Sequence, residues 1–599
     1  MVDRTAPPPR RPQPSSSAHH PAPAGHAQRT QPPAPHSRAQ RPPAEPVQQR
    51  TPPAEHTSAP SPAAIELRTR EEVSAEGLRL AQRRPQALGL ALLLADAEEL
   101  PRDLRRDHRR ARPAALAIAV TGEATVVLSG AALEDLSPLG PALNGDGAPY
   151  SVIHDAHRTL GVLRRLGLEI QRFGCTLTAA TLLAEGADGH RDDRELAPLV
   201  SQTLGRELPE GLRRGLVPPA LEHTVTPIAA ARAEILVPLL RKLVPHLRER
   251  RLATIFELEC NLVPAVLAME NAGFALDARA LQRLVDAWRL ERRTAEEPKR
   301  ISRLDKLIST LGYWPRDYVE LDGRIRCRLH PLATDSGRFS CQSPNLQQVP
   351  AEHTAPGVRG CFVAPPGRRL VIADYAQIEL RVAAHIARCE TLRQVFVDGR
   401  DVHRTTAAGL ARKPEEEVTD RERKLAKAIN FGFLFGMGAR RFREYAANSY
   451  GLQLDLKAAE AARDAFFATF PGIAAWHGKV SALSQRARSE DVTVHTILGR
   501  RRRFPAGTFS FNSALNIPVQ GTAAEGFKLA MIDLHRELRA IDGQGVLVIH
   551  DEYIAEVPEE RAEEARVIVQ RTMEAAMARV IPSVPIVAEA HIAGSWAEK

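Results

Sequence analysis

Two apolar runs of strand length, each leading into an acidic polar stretch, organise the chain. Residues 370–381 (LVIADYAQIELR) read as a short buried strand running into a polar turn that carries Asp374 and Glu379. Residues 545–557 (GVLVIHDEYIAEV) read as a strand, the polar triplet His550-Asp551-Glu552 and a second strand. Earlier apolar runs at 88–94, 115–120 and 125–128 predict three strands, and 3.6-residue patterns at 155–168, 176–185, 192–205 and 227–248 predict helices. Strands first and helices later suit a compact α/β domain over 63–250. Residues 256–274 have helical apolar spacing, and the charged stretch 279–307 predicts two helices broken near Pro298. Thr419 with Glu422 three residues on is a capping-box pattern opening a further helix. Residues 440–470 and 476–488 read as helical, 492–498 as a strand before the basic turn Arg500–Arg503, and 516–538 as a helix. A charged helix at 560–579 and a last strand at 586–591 complete the pattern.

Composition changes this picture at the N-terminus. Residues 1–62 are rich in Pro, Ala, His, Gln and Arg, with few large apolar side chains, so they predict a disordered tail. A chain of 599 residues is too long for one ordinary core, and two or three domains are expected. The net charge of +9 rests mainly on arginine, which makes bidentate contacts to phosphate, so a polyanionic partner fits. The six cysteines form no CxxC pair or zinc-type spacing, which suits a reduced cytoplasmic setting. No apolar run reaches the roughly 20 residues of a membrane span, and there is no signal-peptide core.

Candidate chemistry follows from which side chains the pattern would gather. If the strands within 370–381 and 545–557 are neighbours in one sheet, Asp374 and Asp551 can meet at its edge. Carboxylates that close repel unless cations lie between them, and a magnesium pair suits phosphoryl transfer. Arg423, Lys427, Phe431 and Phe435 recur every four residues along one helix face. Two cations and two rings would hold a triphosphate and stack on a base and sugar, although a purely structural amphipathic helix has the same pattern. Gly432, Gly436 and Gly438 permit close approach and weaken the end of that helix. The loop 334–350 carries Arg338, Asn345 and Gln347, a cation and amides suited to the edges of a nucleic-acid groove. Asn516 and Gln520 could make similar contacts. Arg300, Arg303 and Lys306 could follow a phosphate backbone or simply solvate a helix. Arg500–Arg503 read either as phosphate contacts or as a surface cluster, and Asp96 with Glu98 either as metal ligands or as ordinary acids at a helix start. No GxxxxGK[ST] phosphate loop occurs.

DYAQIELR at 374–381, RERKLAKAINFGFLFG at 421–436 and HDE at 550–552, with SGRFSCQSPNLQQVP and NIPVQG, resemble the ordered motifs of the family A DNA polymerases. The resemblance is strong over 330–599 and implies a right hand of palm, fingers and thumb over 251–599. Palm start and a reduced thumb would occupy 251–336, palm 337–400, mainly fingers 401–540 and palm again 541–599. Residues 63–250 resemble the RNase H-like 3′–5′ exonuclease domain that precedes such polymerases, so the expected fold is α/β and α+β, in several domains. The implied reaction adds deoxynucleotides to a primer 3′-hydroxyl and releases pyrophosphate. Asp374 and Asp551 would hold two Mg2+ ions, with Mn2+ as a substitute. Glu552 and His550 would support the site. Arg423 and Lys427 would grip the triphosphate, with Lys427 as proton donor, while Phe431, Phe435 and Gln377 contact the nucleotide and Glu379 gates against a ribose 2′-hydroxyl. Arg338, Asn345, Gln347, Asn516, Gln520 and His550 would contact DNA. The implied partners are primer-template DNA and dNTPs, with no membrane, and the implied setting is a monomer at the bacterial nucleoid, in replication or repair.

Several positions depart from the family pattern. Ala376, Phe435 and Glu525 stand where serine, tyrosine and aspartate are usual. Some thirty residues lie between Asp277 and Ile308 where the family has over a hundred, which implies a small thumb and low processivity. No 5′ nuclease domain fits within the first 250 residues. In the exonuclease-like part, Thr159 takes a carboxylate position, Cys175-Thr176 replaces an Asp-Thr pair, and the last element falls on 230–234 with Ala230 in place of tyrosine. Lost proofreading is therefore expected, against the alternative of residual exonuclease activity. Two rivals to DNA synthesis are an RNA-synthesising polymerase of the same shape and a non-catalytic DNA-binding scaffold.

Overall fold

The computed structural model describes residues 64–96, 107–145, 147–186, 194–208, 216–217 and 225–599. The expected N-terminal tail lies outside them, as does Glu98 of the Asp96/Glu98 pair. The described residues form a mixed α/β structure with two apolar cores.

The first core lies against a sheet built on the strand Ala87–Ala95. This strand pairs antiparallel with Pro113–Val120 and parallel with Tyr150–Ile153, which in turn pairs parallel with Phe173–Cys175. Val126–Leu128 and then Ile65–Leu67 extend the other edge. The three apolar runs read from the sequence thus became strands because their side chains are buried on both faces. The strands at 150–153 and 173–175 escaped that reading, being too short to show a period. The helix Val225–Glu249 packs across the sheet on Ala229, Ala233 and Leu236.

The second core surrounds a four-stranded antiparallel sheet in the order Gln544–Ile549, Glu552–Pro558, Arg368–Tyr375, Ala588–Ala593. The strand after His550-Asp551 is therefore the direct neighbour of the one that bears Asp374, and the strand before it lies one place further out. The helices Phe511–Arg539 and Ala562–Val580 pack together below it. The first of these opens at Phe511, five residues before the expected start, because the Ser510 hydroxyl caps the Ser513 amide.

One helix, Ala253–Ala272, serves both cores. Phe256, Cys260 and Val263 face the first, and Leu262, Val266 and Met269 the second. Two acids on this helix, Glu259 and Glu270, are buried as well. The charged stretch that follows forms a pair of helices, Ala278–Thr294 and Pro298–Leu311, held by Trp288 and Leu304 inside and by Arg300–Glu291 outside.

The arginine run departs from expectation. Residues Arg501–Phe504 form a strand paired with Val492–His495, and all four arginines are in ion pairs within the protein. Arg500 is buried on Glu259 and Glu525, Arg501 meets Glu185, Arg502 meets Asp335 and Arg503 meets Asp491. In the free chain these carboxylates neutralise the run, with Arg500 buried and Arg503 half-exposed.

Candidate active site

Sheet register sets the acidic cluster. Asp374 lies within the strand Arg368–Tyr375, directly opposite Glu552. Ile549 pairs with Glu552, so His550 and Asp551 form a two-residue hairpin turn. His550 holds a left-handed φ of 56° there, a strained conformation for a residue with a side chain. The turn thereby projects Asp551 beside Asp374 at the sheet edge. Burial pushes the Asp551 carboxyl up to about 7, and the negative charges of Asp374 and Glu379 push the same way.

Glu552 is held from two sides. Its Oε1 accepts from the Trp596 indole N–H at 2.8 Å, and its Oε2 meets the Lys599 ammonium. Lys599 Nζ also lies 2.7 Å from Asp374 Oδ2, so one ammonium bridges two acids. Asp374 Oδ1 is buried and accepts no hydrogen bond. An orphaned carboxylate oxygen and a second carboxyl raised by its neighbours are oxygen donors of the kind a hard divalent ion takes, and the Lys599 ammonium balances part of their charge in this structure. Lys599 and Trp596 were not read from the sequence, since neither shows a periodic or spacing signal.

Around this cluster the loop 334–350 makes specific contacts. Arg338 donates to Glu379 Oε1 at 2.5 Å, and Glu379 sits in the first turn of the helix Ile378–Ile386. Gln377 precedes that helix with φ 55°, turning the chain from strand to helix. Asn345 Oδ1 caps the Gln347 amide at 3.1 Å, and Gln347 Nε2 donates to Val548 O at 3.2 Å. Both residues therefore brace the loop against the strand Gln544–Ile549. Gln520 Nε2 donates to Asn516 Oδ1 at 3.3 Å along the long helix. At Gly521 a Cβ would lie 2.8 Å from Ser336 O, so glycine there lets this helix approach the Arg338 loop. Burial also lowers His550, with the Arg338 charge adding to the effect.

The cationic helix is Asp420–Leu434, closed by the predicted box in which Thr419 and Glu422 cap each other. Ala426, Ile429 and Phe433 face the core, where Phe433 and Phe442 stack at 4.4 Å. Arg423, Lys427 and Phe431 lie off that apolar face, so one helix provides both a core stripe and a basic stripe. Arg423 Nε donates to Asp401 Oδ2 at 2.7 Å, and Asp401 caps the helix Val402–Ala411. His403 on that helix packs on Phe431 and binds Asn430 at 2.9 Å. Burial lowers His403 to about 4, so it is neutral at physiological pH. The sequence signal for Asp401 was its place as an N-cap, and His403 had none. Phe435 lies just past the helix end, where its carbonyl accepts from Asn512 Nδ2 at 2.6 Å. That bond ties the basic helix to Phe511–Arg539, which also packs on Ile378–Ile386 beside the acids.

Comparison with known proteins gives this arrangement a family. A solved structure, the POL domain of Pol1 from M. smegmatis in complex with DNA primer-template and dNTP, has a similar fold with a TM-score of 0.73 at 22% identity, over 89% of this chain and 99% of that one. DNA polymerase I of Aquifex aeolicus is 37% identical over 277 residues, 46% of each chain. The thermostable DNA polymerase I of Thermus aquaticus is 36% identical over 346 residues, 56% of this chain and 39% of that one. This chain thus spans about half or less of the length of these curated relatives. The profile of DNA polymerase family A matches residues 250–598, more than half of the sequence. The chain belongs to DNA polymerase family A.

Proposed function

We propose that the chain catalyses template-directed DNA synthesis, adding deoxynucleoside monophosphates to a primer 3′-hydroxyl. The observation that carries this reading is the Asp374–Asp551 pair, with its raised carboxyl and orphaned oxygen beside the Lys599 ammonium. A Mg2+ pair held by Asp374 and Asp551 would supply Lewis-acid activation of the 3′-hydroxyl and neutralise charge on the transferring phosphoryl group. Arg423 and Lys427 bind the triphosphate, Arg423 exchanging its Asp401 partner for phosphate oxygens. Lys427 delivers a proton to the departing pyrophosphate. Phe431 and Phe435 pack on sugar and base, Gln377 lies beside the nucleotide, and Glu379, clamped by Arg338, excludes a 2′-hydroxyl. Asn516 and Gln520 face the duplex. Residues 251–336, 337–400, 401–540 and 541–599 supply the palm with a short thumb, the palm, the fingers and the returning palm. The similar solved polymerase domain is in complex with DNA primer-template and dNTP, which supports both as partners here. No helix among the described residues is long and apolar enough to cross a membrane.

Primer extension by the wild type and Asp551→Ala tests the reading. Losing one carboxylate of the pair is expected to cost about 10³-fold or more in rate, equivalent to several kcal/mol of transition-state stabilisation. A wild type that extends no primer would leave the scaffold reading in its place, and extension that survives the substitution would remove Asp551 from the metal pair.

The same proposal assigns residues 63–250 an exonuclease-like fold without proofreading chemistry. Thr159 Oγ1 donates to His154 O, Cys175 Sγ accepts from the Ala156 and Thr178 amides, and Glu234 accepts from Thr125 at 2.7 Å. The adjoining cavity, about 490 Å³, is lined by Arg158, Arg194, Arg232 and Arg328 against Asp155, Glu195 and Glu259. With Thr159 and Cys175 at two of the positions where a carboxylate is needed, a two-metal centre lacks its ligands. The check is 3′-end degradation of single-stranded DNA by Asp551→Ala, where activity at family-typical rates would refute the loss.

A further inference from the structure

We propose that His108, His157 and Glu270 form a binding site for a zinc-class transition-metal ion, which fastens the N-terminal sheet layer to the shared helix Ala253–Ala272. The three residues come from three separate segments. His108 lies in the turn after Asp107, His157 in the first turn of the helix Ala156–Arg165, and Glu270 near the end of Ala253–Ala272. Nothing in their sequence spacing connects them.

The distances are those of metal ligands. His157 Nε2 lies 3.0 Å and His108 Nδ1 3.5 Å from Glu270 Oε2. One ligand atom from each residue falls within 4.8 Å of the others. Tetrahedral zinc with bonds of about 2.0–2.1 Å separates its ligands by about 3.3–3.4 Å. His157 Nε2 and Glu270 Oε2 are both buried, and neither has a hydrogen bond of regular geometry although they lie 3.0 Å apart as an ion pair.

The outer contacts orient the donors. His108 Nε2 meets Asn271 Oδ1 at 3.2 Å, and as donor it leaves the Nδ1 lone pair facing Glu270. Glu270 Oε1 accepts from the Leu329 amide at 2.6 Å, which leaves Oε2 for the shared point. This is the second-layer arrangement that fixes histidine ligands in metal sites. Nearby charges are largely spoken for: Asp107 pairs with Arg109 at 2.6 Å and Asp155 with Arg158 at 3.1 Å, while Arg328 is the cation facing His157. Burial keeps His108 neutral, its ligand form, by lowering it to about 4. His157 also borders the 490 Å³ cavity, which gives an entry path and room for water as a fourth ligand.

Titration of the full-length chain with Co2+ tests the site, since four-coordinate Co2+ gives intense visible d–d bands and Mg2+-type oxygen sites do not. One equivalent with that spectrum is expected, unchanged in Asp551→Ala and absent in His157→Ala and Glu270→Gln. Asn271→Ala should weaken binding roughly 10–100-fold. Zinc should raise the Tm of the wild type and leave that of His157→Ala unmoved. His157 is only partly buried, so its variant keeps the test available if Glu270→Gln fails to fold. The proposal is overturned by a cobalt spectrum that persists in His157→Ala, by one that disappears in Asp551→Ala, or by a Tm indifferent to zinc.

Discussion

Lys599 Nζ lies 2.7 Å from Asp374 Oδ2 and contacts Glu552 as well, so a side-chain cation stands where the acidic cluster would take a metal ion. An ammonium in that position competes with divalent cations. Removing it in Lys599→Ala should lower the Mg2+ concentration for half-maximal primer extension by about 2–5-fold, the scale of a partly exposed ion pair worth up to ~1 kcal/mol. A magnesium titration of the rate checks this, and an unchanged or raised midpoint would contradict it.

Asp551 is strained by its neighbours. Burial and the Asp374 charge hold its carboxyl near 7, far above its ordinary 3.8, so its ionised form is costly without a cation. Asp551→Asn should therefore raise the Tm in EDTA while abolishing extension. Added Mg2+ should stabilise the wild type and leave the variant unmoved. Thermal melts of both proteins with and without the ion decide the point.

Glu379 is clamped by Arg338 at 2.5 Å, and the clamp fixes where its carboxylate stands. Glu379→Ala should raise ribonucleotide incorporation relative to deoxynucleotide incorporation by roughly 10–200-fold, the discrimination a single steric contact supplies. Arg338→Ala should shift the ratio in the same direction by less, because the carboxylate remains but is no longer fixed. Single-nucleotide addition with matched ribo- and deoxynucleotides measures both.

The buried ionic group under the sheet is Glu259, Arg500, Glu525 and Lys528. Lys528 Nζ donates to Glu259 Oε1 at 2.5 Å and to Pro331 O at 2.9 Å. Glu259→Ala leaves two buried cations short of a partner and should cost about 3–5 kcal/mol in chemical denaturation.

The same group sets a pH signature. Burial raises Glu525 from 4.5 to about 7, so between those values the folded chain keeps a proton the unfolded chain has released, and stability falls as pH rises through that window. Burial lowers Lys528 from 10.5 to about 8, so between about 8 and 10.5 the unfolded chain binds more protons and stability rises with pH. Denaturation of Glu525→Gln across pH 4.5–7 should show a flatter decline than the wild type.

Much of the fold could be read from the chain because local periodicity reports burial. The strands at 88–94 and 370–375 and the capping box at Thr419 each combine a short-range pattern with a stop signal, and each formed where expected. The arginine run was harder to read for the opposite reason. Four adjacent cations look alike in sequence, and only long-range neighbours such as Glu259 and Glu185 decide which of them is buried in an ion pair.

Local sequence was enough for the family motifs, the strand that bears Asp374, the turn that bears Asp551 and the amphipathic helix that bears Arg423, since all of these depend on residues within a few positions of one another. Long-range packing settled that Asp374 faces Glu552, that Lys599 bridges them, and that one helix carries Glu259 to Arg500 and Lys528 and Glu270 to His108 and His157. The difference comes from separation along the chain. Sheet register and burial set these contacts across hundreds of residues, and no local period encodes them.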